Sequence, residues 1–310
     1  MEWHERWSST LDAAVTSLPD VEACPPELFR LLAEQRGGVR KCIALVLEAG
    51  EPLAVLALRK RFELHESVCD GIVPHAFGVM RPARWDAALA LGRLVKVNEW
   101  LGATPDVASD PETKARYRVA TNVDFDALWK AQHNAESVAR ARNRCEREGG
   151  FALEVDGEGA AEWVVRNWSE RWAGDRFGEA QIADDIVEAA RYLSARGGYH
   201  AFRLLHREQA VAGITMLPYD GVLYFMNSYR DDAFERFGVG TRLFELFFRW
   251  AAASSYRMVD MGAGAYKERW APHDGDAVSF FVAPAHLRLA FRAIEGGRSL
   301  ARRVRRRDDC

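Results

Sequence analysis

The stretch Arg236-Phe237-Gly238-Val239-Gly240-Thr241 places two glycines at the start of a helix that the sequence pattern predicts to run to about Ser254. One face of this helix is apolar, because Leu243, Phe247 and Trp250 recur at helical spacing. Two glycines leave backbone N–H groups exposed at the helix N-terminus, where unpaired donors and the macrodipole attract phosphate. The stretch predicts a phosphate-binding turn or a plain tight turn. The absence of a third glycine disfavours a Rossmann dinucleotide fingerprint.

Strand patterns flank this glycine turn on both sides. Three apolar runs with short polar breaks precede it and predict an antiparallel meander: Tyr199 to Leu205, Ala210 to Leu217 and Val222 to Tyr229. A buried strand, a loop and a last strand follow it: Met258 to Met261, Gly262 to Trp270 and Ala277 to Val282. The order of elements predicts a mixed α/β (α+β) fold with mostly antiparallel sheet and flanking helices.

A domain boundary is predicted near residue 135, which divides the chain into residues 1–134 and 135–310. The second part begins with an arginine-rich helix, Ala135 to Glu148, which Gly149-Gly150 terminates. A strand and two helices are predicted before the meander: Phe151 to Val155, Glu158 to Trp172 and Ala180 to Arg196. The tryptophans of the first of these helices, Trp163, Trp168 and Trp172, fit core packing or an aromatic wall beside an acceptor.

The first part also reads as mixed α/β. A short helix, Glu27 to Gln35, precedes two strands, Cys42 to Glu48 and Leu53 to Arg59, that are joined by the hairpin-like turn Ala49-Gly50-Glu51-Pro52. Apolar residues at helical spacing predict a helix over Ala83 to Leu101. Ala103 to Thr121 is polar and is interpreted as a loop or a short strand.

Composition excludes several classes of protein. The chain has 310 residues with 42 Lys and Arg against 45 Asp and Glu, so its net charge of −3 argues against a whole-surface nucleic-acid binder. The N-terminal stretch is charged, and no run approaches the roughly 18 apolar residues of a membrane span. The five scattered cysteines form no CxxC pair and the histidines form no HExxH, so we expect a cytoplasmic protein without a metal site.

The order meander, glycine turn, helix and strand resembles the GNAT acyltransferase fold. In that fold the glycine turn holds the coenzyme A pyrophosphate, with the pattern Gln/Arg-x-x-Gly-x-Gly/Ala. Both glycines match here, while Glu235 stands at the first position and Arg236 follows it. The resemblance implies acetyl-CoA or another acyl-CoA as co-substrate. It assigns donor binding to the turn residues Arg236, Phe237, Gly238, Val239, Gly240 and Thr241.

A closer resemblance, to the CelD/BcsL-type branch of this superfamily that is related to the FemABX peptidyltransferases, extends over the chain. Its motifs are the helix from Gly240-Thr241 to Arg249-Trp250, the short strand Asp260-Met261-Gly262, and the loop Tyr266-Lys267-Glu268-Arg269-Trp270. The segment Arg140 to Phe151 is similar to the helix that opens the second half of such proteins. The resemblance implies tandem GNAT-like halves, of which the second holds the donor.

Three residues are catalytic candidates. Tyr266 could protonate a leaving thiolate, and Lys267 could stabilise developing negative charge or hold a phosphate; a solvated loop anchored by Trp270 is the alternative for both. Asp260 could act as a base, or could cap the Gly262 turn or pair with Arg269.

Asn227 and Ser228 close the last meander strand, where they would face the donor cleft or serve as ordinary edge residues. Six arginines lie from Arg298 to Arg307 and could attract RNA, including tRNA, or an anionic membrane surface, or could be a solvated helix end.

The sequence therefore predicts a GNAT-type N-acetyltransferase that moves an acyl group from acyl-CoA to a small-molecule or peptide amine. The alternatives are an aminoacyl-tRNA-dependent transferase of FemABX type and a non-catalytic GNAT-like binding protein. Glu235 in the glycine turn keeps the last alternative open.

Overall fold

The structure is a computed structural model, which describes residues 1–18, 26–34, 41–61, 64–69, 72, 79–80, 86–100, 105–171 and 183–290. The helices are α1 (Ser9–Ser17), α2 (Pro26–Glu34), α3 (Asp86–Ala90), α4 (Phe125–Ala131), α5 (Ala135–Glu148), α6 (Ala160–Arg171), α7 (Ala183–Ser194) and α8 (Val239–Ala253). The strands are β1 (Glu2–His4), β2 (Lys41–Glu48), β3 (Glu51–Arg61), β4 (Leu64–Ser67), β5 (Val79–Met80), β6 (Val95–Trp100), β7 (Ser109–Ala120), β8 (Phe151–Val155), β9 (His200–His206), β10 (Gln209–Tyr219), β11 (Val222–Arg230), β12 (Met258–Ala263) and β13 (His273–Val282).

All thirteen strands of the described residues join one sheet, in the order β1-β2-β3-β4-β6-β13-β7-β12-β11-β10-β9-β8, with β5 beside β3. Among the described strands, β4 with β6 and β11 with β12 are the parallel pairs, and the other pairings are antiparallel. The predicted mixed, mostly antiparallel α/β fold is therefore confirmed. None of the helices described in the structure is both long and apolar enough to cross a membrane.

The predicted meander is present as β9, β10 and β11, which pair in sequence with Ala201 opposite Thr215 and Gly213 opposite Tyr229. Strand β10 is longer than predicted at both ends, and β11 is longer at its C-terminal end, because the polar residues there continue the pairing with the neighbouring strand. Helix α5 has the predicted bounds, α6 begins two residues later than predicted, and α7 is described from Ala183, within its predicted range. Trp168 of α6 packs at the edge of the core, while Trp172 lies outside the described residues.

The helix predicted over Ala83 to Leu101 is wrong over most of its length. Its helical part is α3, and Gly92, with φ 61°, follows as the chain turns. Val95 and Val97 then lie in β6, where Val95 pairs with Val282 and Val97 with Phe280. β-Branched residues that alternate with polar ones suit a strand between two neighbours, and this tertiary pairing overrides the helical spacing.

The stretch Ala103 to Thr121, predicted as a loop or short strand, instead contains the twelve-residue strand β7. β7 lies between β12 and β13, strands that come more than a hundred residues later in the chain. Its first residues are largely exposed, which explains their polarity, and only Tyr117 and Val119 enter the core beneath α8. Apart from Ser109, the buried side chains of β7 thus lie in its second half.

Helix α8 covers one face of the second half of the sheet. Its apolar side chains Leu243, Phe247 and Phe248 pack with Phe202 of β9 and with Trp270. On the opposite face, α6 and α7 share a core with α1, α2, β2 and β3, so helices of the second part pack on elements of the first. This arrangement fixes the strands β11 and β12 between two packed layers.

Candidate functional site

The strands β11 and β12 diverge after a short stretch of pairing. Their parallel pairs are Val222 with Met258, Leu223 with Val259 and Tyr224 with Asp260. Beyond Tyr224, β11 continues along β10 and β12 continues along β7. The segments 225–230 and 261–263 therefore separate, and we call the space between them the opening.

A bulge lies in β11 at the edge of the opening. Ser228 pairs with Ile214 and Phe225 with Met216, so Met226 and Asn227 together face the single residue Thr215. Asn227 is buried, and both its N–H and its side chain bond to the Thr215 hydroxyl, at 3.2 and 3.3 Å. The side chain predicted to face a cleft is thus engaged within the sheet, whereas Ser228 is half-buried.

The predicted glycine turn lies at the end of β11. A 3-10 turn, Asp232–Phe237, leads into Gly238, whose φ of 74° is left-handed, and α8 begins at Val239. A Cβ at Gly238 would lie 3.0 Å from the Cβ of Ala141, so both conformation and space favour glycine there. The N–H groups of Val239, Gly240 and Thr241 belong to the first turn of α8, which has no partners for them within the helix.

The side chains of this turn have different positions. Phe237 packs against Phe151 and Val239 is buried, so these two anchor the turn and offer only their backbone to a ligand. The Arg236 guanidinium lies over the Phe237 ring, 4.6 Å from its centroid. A Cβ at Gly240 would meet only the Cδ of Arg230, at 3.6 Å, so the surface over this residue is otherwise open.

Helix α5 supports the turn from behind. Arg144 donates to the carbonyl of Arg236 at 3.0 Å, and the Cys145 Sγ lies 3.7 Å from the carbonyl of Phe237. Burial raises the pKa of the Cys145 thiol to about 11, and nearby Arg242 partly offsets this. The arginine-rich segment that sequence analysis singled out therefore positions the turn.

A buried carboxylate ties α5 to α8. Glu245 of α8 is fully buried and accepts from Arg142 of α5 at 2.7 Å, from Arg242 at 2.7 Å and from Arg249 at 3.3 Å. The hydrogen bond to Glu245 raises the pKa of Arg142. The sequence pattern does not single out Glu245, because a glutamate on a helix surface is ordinarily solvated.

Asp260 is buried on β12, where the strands begin to separate. Its Oδ1 accepts the backbone N–H of Gly262 at 2.8 Å, which is the capping role considered from sequence. Its ion-pair partner is Arg116 of β7 and not Arg269, the pairing that the sequence left open as one alternative. Desolvation, followed by the charge of Arg118, lowers the pKa of Arg116 to about 10, so Arg116 stays cationic at neutral pH.

Lys267 points into the opening. It ends a short 3-10 turn, Ala265–Lys267, that follows Gly264, and its side chain is buried. Its Nζ lies 4.8 Å from the ring centroid of Phe225 on β11 and 3.5 Å from where a Cβ at Gly262 would be. The lysine thus places a cation between the two separated strands, as the sequence predicts for the end of β12.

The side chain of Tyr266, unlike that of Lys267, is exposed to solvent. It is 54% exposed, and its ring centroid lies 5.6 Å from the Lys267 Nζ. Desolvation of the phenol raises the pKa of Tyr266, and Arg269 acts in the opposite sense. The phenol therefore stays protonated at neutral pH, as a proton donor must, although it lies outside the buried part of the opening.

Trp270 fixes the far end of this loop. It is fully buried, edge-on to Trp129 of α4 with centroids 5.9 Å apart, and 5.1 Å from Phe244 of α8. Asn134 also donates to the carbonyl of Arg269, at 3.1 Å. The loop that carries Lys267 is thus held by α4, α5 and α8 together.

One family model matches the part of the chain that contains these elements. Residues 132–270 match a family model described as "Acetyltransferase (GNAT) domain". This region begins just before α5 and ends at Trp270, so it contains the glycine turn, Asp260 and Lys267. A search of curated proteins gives no match.

Solved structures share the fold over most of the chain at low sequence identity. L-PGS from Bacillus licheniformis is 15% identical, with TM-score 0.53 over 90% of this chain and 93% of that one. A conserved protein of unknown function from Bacteroides thetaiotaomicron is 9% identical, with TM-score 0.53 over 90% and 98%. A tandem GNAT protein from the clavulanic acid biosynthesis pathway is 13% identical, with TM-score 0.49 over 92% and 100%. The part of the chain that holds the glycine turn, α8 and the Lys267 loop is therefore similar to GNAT acetyltransferase domains, within a mixed α/β fold shared with the first two of these structures.

Proposed function

We propose that this protein is a GNAT-type N-acyltransferase that moves an acyl group, with acetyl as the favoured group, from acyl-CoA to an amine. The observation that carries the proposal is the separation of β11 from β12 with the first turn of α8 at the end of β11. A thioester arm can enter between two such strands while its phosphates meet the helix N-terminus. The match of residues 132–270 to the GNAT domain supports the same function.

The residues of the turn fit a phosphate-bearing donor. The first-turn N–H groups of α8 lack partners within the helix, and the surface over Gly240 is open apart from Arg230. The backbone of Val239, Gly240 and Thr241 would hold the diphosphate, and Arg236 would add positive charge at the rim. The ring contact of half-buried Phe237 with Phe151 and the burial of Val239 keep this backbone in place.

Transfer in this proposal is a direct attack by the amine on the thioester carbonyl. Holding both reactants between the same strands replaces an encounter in solution by a positioned reaction. The backbone near the β11 bulge and the Lys267 ammonium would stabilise the negative charge that develops on the carbonyl oxygen. Tyr266 would protonate the departing thiolate.

Asp260 has a weaker claim to a catalytic role. Both of its observed partners, Arg116 and the Gly262 N–H, direct donors at the carboxylate inside the protein. These contacts support a structural role that holds β12 and β7 together where β12 leaves β11. We keep Asp260 as a candidate base that acts through water, and the stability of an Asp260 variant tests this role.

We further propose that residues 1–134 form a first GNAT-like half and that residues 135–310 hold the donor, with the acceptor amine between them. The start of α5 at Ala135 and the start of the matching region at residue 132 support this division. Strand β7 of the first half pairs with β12 and β13 of the second, so a groove between the halves would adjoin the opening.

The alternative of a non-catalytic binding protein depends on Glu235, whose charge would oppose a phosphate. In the structure Arg230 donates to Glu235 at 3.0 Å, which offsets that charge. The alternative of an aminoacyl-tRNA-dependent transferase depends on the arginines between Arg298 and Arg307, which lie outside the described residues. The experiment below therefore tests the tRNA-dependent alternative through one of its outcomes.

The test is calorimetric titration of the protein with coenzyme A and acetyl-CoA, followed by thiol release from acetyl-CoA in the presence of a panel of amines. Micromolar binding of coenzyme A and amine-dependent thiol release are expected. Binding without turnover on any amine would favour the non-catalytic alternative. Absence of coenzyme A binding, together with binding of charged tRNA that salt steeply weakens, would favour the tRNA-dependent alternative.

A further inference from the structure

Strand β7 extends past the end of β12. The last pair between these strands joins Ala263 of β12 to Arg116 of β7, and residues 109–115 of β7 lie beyond it. Residues 112–115 pair with β13 on one edge, and within the part of the chain that the structure describes no strand pairs with their other edge. We call the unpaired edge of residues 111–115 the free edge. Because β7 and β11 both neighbour β12, the free edge faces residues 225–230 of β11.

The free edge is accessible to solvent. Residues 110–115 are all exposed, although β7 is a central strand and its later residues Arg116, Tyr117 and Val119 are buried. Pro111 has no N–H, and strands tolerate proline at edges and bulges but not in a paired interior. Burial and sequence thus both identify this part of β7 as an edge.

Two hydrogen bonds show which backbone groups point outward from the free edge. The N–H of Arg118 donates to the carbonyl of Pro272, just before β13, at 3.2 Å, while the N–H of Thr121 donates to the carbonyl that precedes β12, at 3.1 Å. Successive residues of a strand direct their N–H and C=O groups to opposite edges. From residue 112 onward the extra residue at each register shift lies in β12 or β13, so β7 keeps this alternation. The N–H and C=O groups of Thr113 and Ala115 therefore point away from β13, into the opening.

We propose that the free edge binds the acceptor as an extended peptide, which adds a strand to β7 and presents its N-terminal amine to the thioester. This inference rests on the proposed function, because it names the class of amine that the same site accepts. Strand addition to an exposed edge is a general mode of peptide recognition, in which main-chain hydrogen bonds supply the affinity.

The position of the reaction centre determines the direction of the peptide. The Lys267 Nζ lies 3.5 Å from where a Cβ at Gly262 would be, and Gly262 pairs with Tyr117, so the reaction centre adjoins the Ala115 end of the free edge. The N-terminus of the peptide lies at that end. The peptide then runs toward Pro111, antiparallel to β7 and in the direction in which β12 would continue.

The chemistry is that of a simple amide-forming transfer. The neutral α-amine attacks the thioester carbonyl, and a C–N bond replaces the C–S bond. The proton that the nitrogen loses leaves with the sulfur as the coenzyme A thiol. The bonds to Ala115 and Thr113 would hold about four residues of the peptide while this happens.

The shape of the opening favours a single chain over a second copy of this protein. Two strand spacings, roughly 10 Å, separate β11 from β7 where β12 ends. Another sheet edge cannot enter a gap of that width, because the sheet behind it would meet β11. Glu112 and Lys114 lie on one face of the free edge, and the small residues Thr113 and Ala115 lie on the other. The edge thus offers its main chain more than a side-chain pocket.

The first experiment measures thiol release from acetyl-CoA with alanine amides of one to five residues, each with a free N-terminus. We expect kcat/KM to rise about tenfold between the dipeptide and the tetrapeptide amide, because two further main-chain bonds form. It should change little from four to five residues, since Pro111 offers no N–H. Equal kcat/KM at all lengths would overturn the inference.

A second measurement uses the wild-type protein with tetra-alanine amides that carry one N-methyl group on a single peptide nitrogen. Successive amides of a strand point to opposite sides, so the gain in kcat/KM should be lost at alternate positions only. A loss at every position, or at none, would contradict strand addition.

The variant Ala115→Pro removes one N–H of the free edge and leaves the bonds of β7 to β13 in place. It should lower kcat/KM for the tetrapeptide amide about tenfold, while kcat/KM for alanine amide and the affinity for coenzyme A stay at wild-type values. Ala115→Val keeps the N–H and should retain the dependence on peptide length. Thr113→Pro is the second variant if urea unfolding shows that Ala115→Pro does not fold. Wild-type kcat/KM for the tetrapeptide amide in the folded proline variants would overturn the inference.

The failures of the two proposals can be told apart. If the wild type binds coenzyme A and acetylates small amines without any gain from peptide length, the free edge does not bind the acceptor and the proposed function stands. If the wild type neither binds coenzyme A nor releases thiol, the proposed function fails and the inference fails with it. A dimer, seen by light scattering, that Ala115→Pro dissociates would assign the free edge to a second copy and overturn the peptide.

Discussion

The carboxylate of Asp260 accepts the backbone N–H of Gly262, two residues further along β12, at 2.8 Å. Gly262 has a φ of 70°, and the pairing of β12 with β7 shifts register between these two residues. The bond therefore stabilises β12 at the point where the strand irregularity begins, next to the opening. The ion pair of Asp260 with Arg116 fixes the same point to β7.

Asp260→Asn should destabilise the protein by about 3–5 kcal/mol, because it keeps an acceptor for Gly262 but leaves the buried Arg116 without its counterion. Urea unfolding measures this loss. Arg116→Met is the companion variant, and the double variant should lose less stability than the sum of the two single ones. Unchanged stability with a large fall in kcat would instead identify Asp260 as the catalytic base.

Lys267→Met keeps most of the side-chain length and removes the cation beside Phe225. If Lys267 stabilises the transition state, kcat should fall about a hundredfold with little change in KM. If it binds only a donor phosphate, KM should rise and kcat should stay nearly constant. Steady-state kinetics with acetyl-CoA decide between them, and Lys130→Met, at an exposed position of α4, is the matched control.

Tyr266→Phe removes a single hydroxyl from a half-exposed ring. If Tyr266 is the general acid, the rate of the variant should be roughly a hundredfold lower than that of the wild type, chiefly with donors whose thiolate leaves slowly. Because the pKa of Tyr266 is raised, the wild-type rate should not fall as pH rises through neutrality on account of this group. Tyr192→Phe, on α7, removes a hydroxyl elsewhere and should have no effect on turnover. A wild-type rate in Tyr266→Phe would exclude the general-acid role.

The two glycines of the turn should respond differently to substitution. Gly238→Ala places a Cβ on a left-handed residue and 3.0 Å from Ala141, so we expect a loss of about 1–2 kcal/mol of stability. Gly240→Ala has space for its Cβ and should fold normally. Gly240→Glu should also fold but should abolish coenzyme A binding, since its carboxylate repels phosphate at the helix N-terminus. Calorimetric affinity within about twofold of the wild type would contradict donor binding at this turn.

Cys145 should be inert toward alkylating reagents in the folded protein. Its pKa is raised from 9.0 to about 11, so its thiolate fraction at pH 8 is about a hundredfold lower than that of an ordinary thiol. Peptide mapping after iodoacetamide treatment should show Cys145 unmodified at pH 8 and modified after unfolding. Half-buried Cys42 provides an internal comparison. Rapid modification of Cys145 would show that the contact of α5 with the turn opens in solution.

Local sequence signals predicted several elements of the site correctly. Hydrophobic periodicity, glycine breaks and turn residues, each acting over a few positions of the chain, predict the bounds of α5, the meander of β9 to β11 and the start of α8. Lys267 could be placed at the end of β12 for the same reason, because it follows a short buried strand and a glycine-rich loop.

Other parts of the site depend on contacts between distant positions. Arg116 lies in a segment whose exposed polar residues resemble a loop, and only its pairing with β12 makes it the partner of Asp260. Glu245 is a buried acceptor because α5 brings Arg142 over it.

The sequence by itself thus determined which residues form the glycine turn, the helix behind it and the strands beside it, since hydrophobic periodicity and glycine placement act over one or two turns of chain. Only the tertiary structure decided that β6 is a strand, that β7 lies between β12 and β13, and which charges pair around the opening. The physical reason is that a strand acquires its neighbours, and a buried charge its counterion, from chain segments that local pattern does not specify.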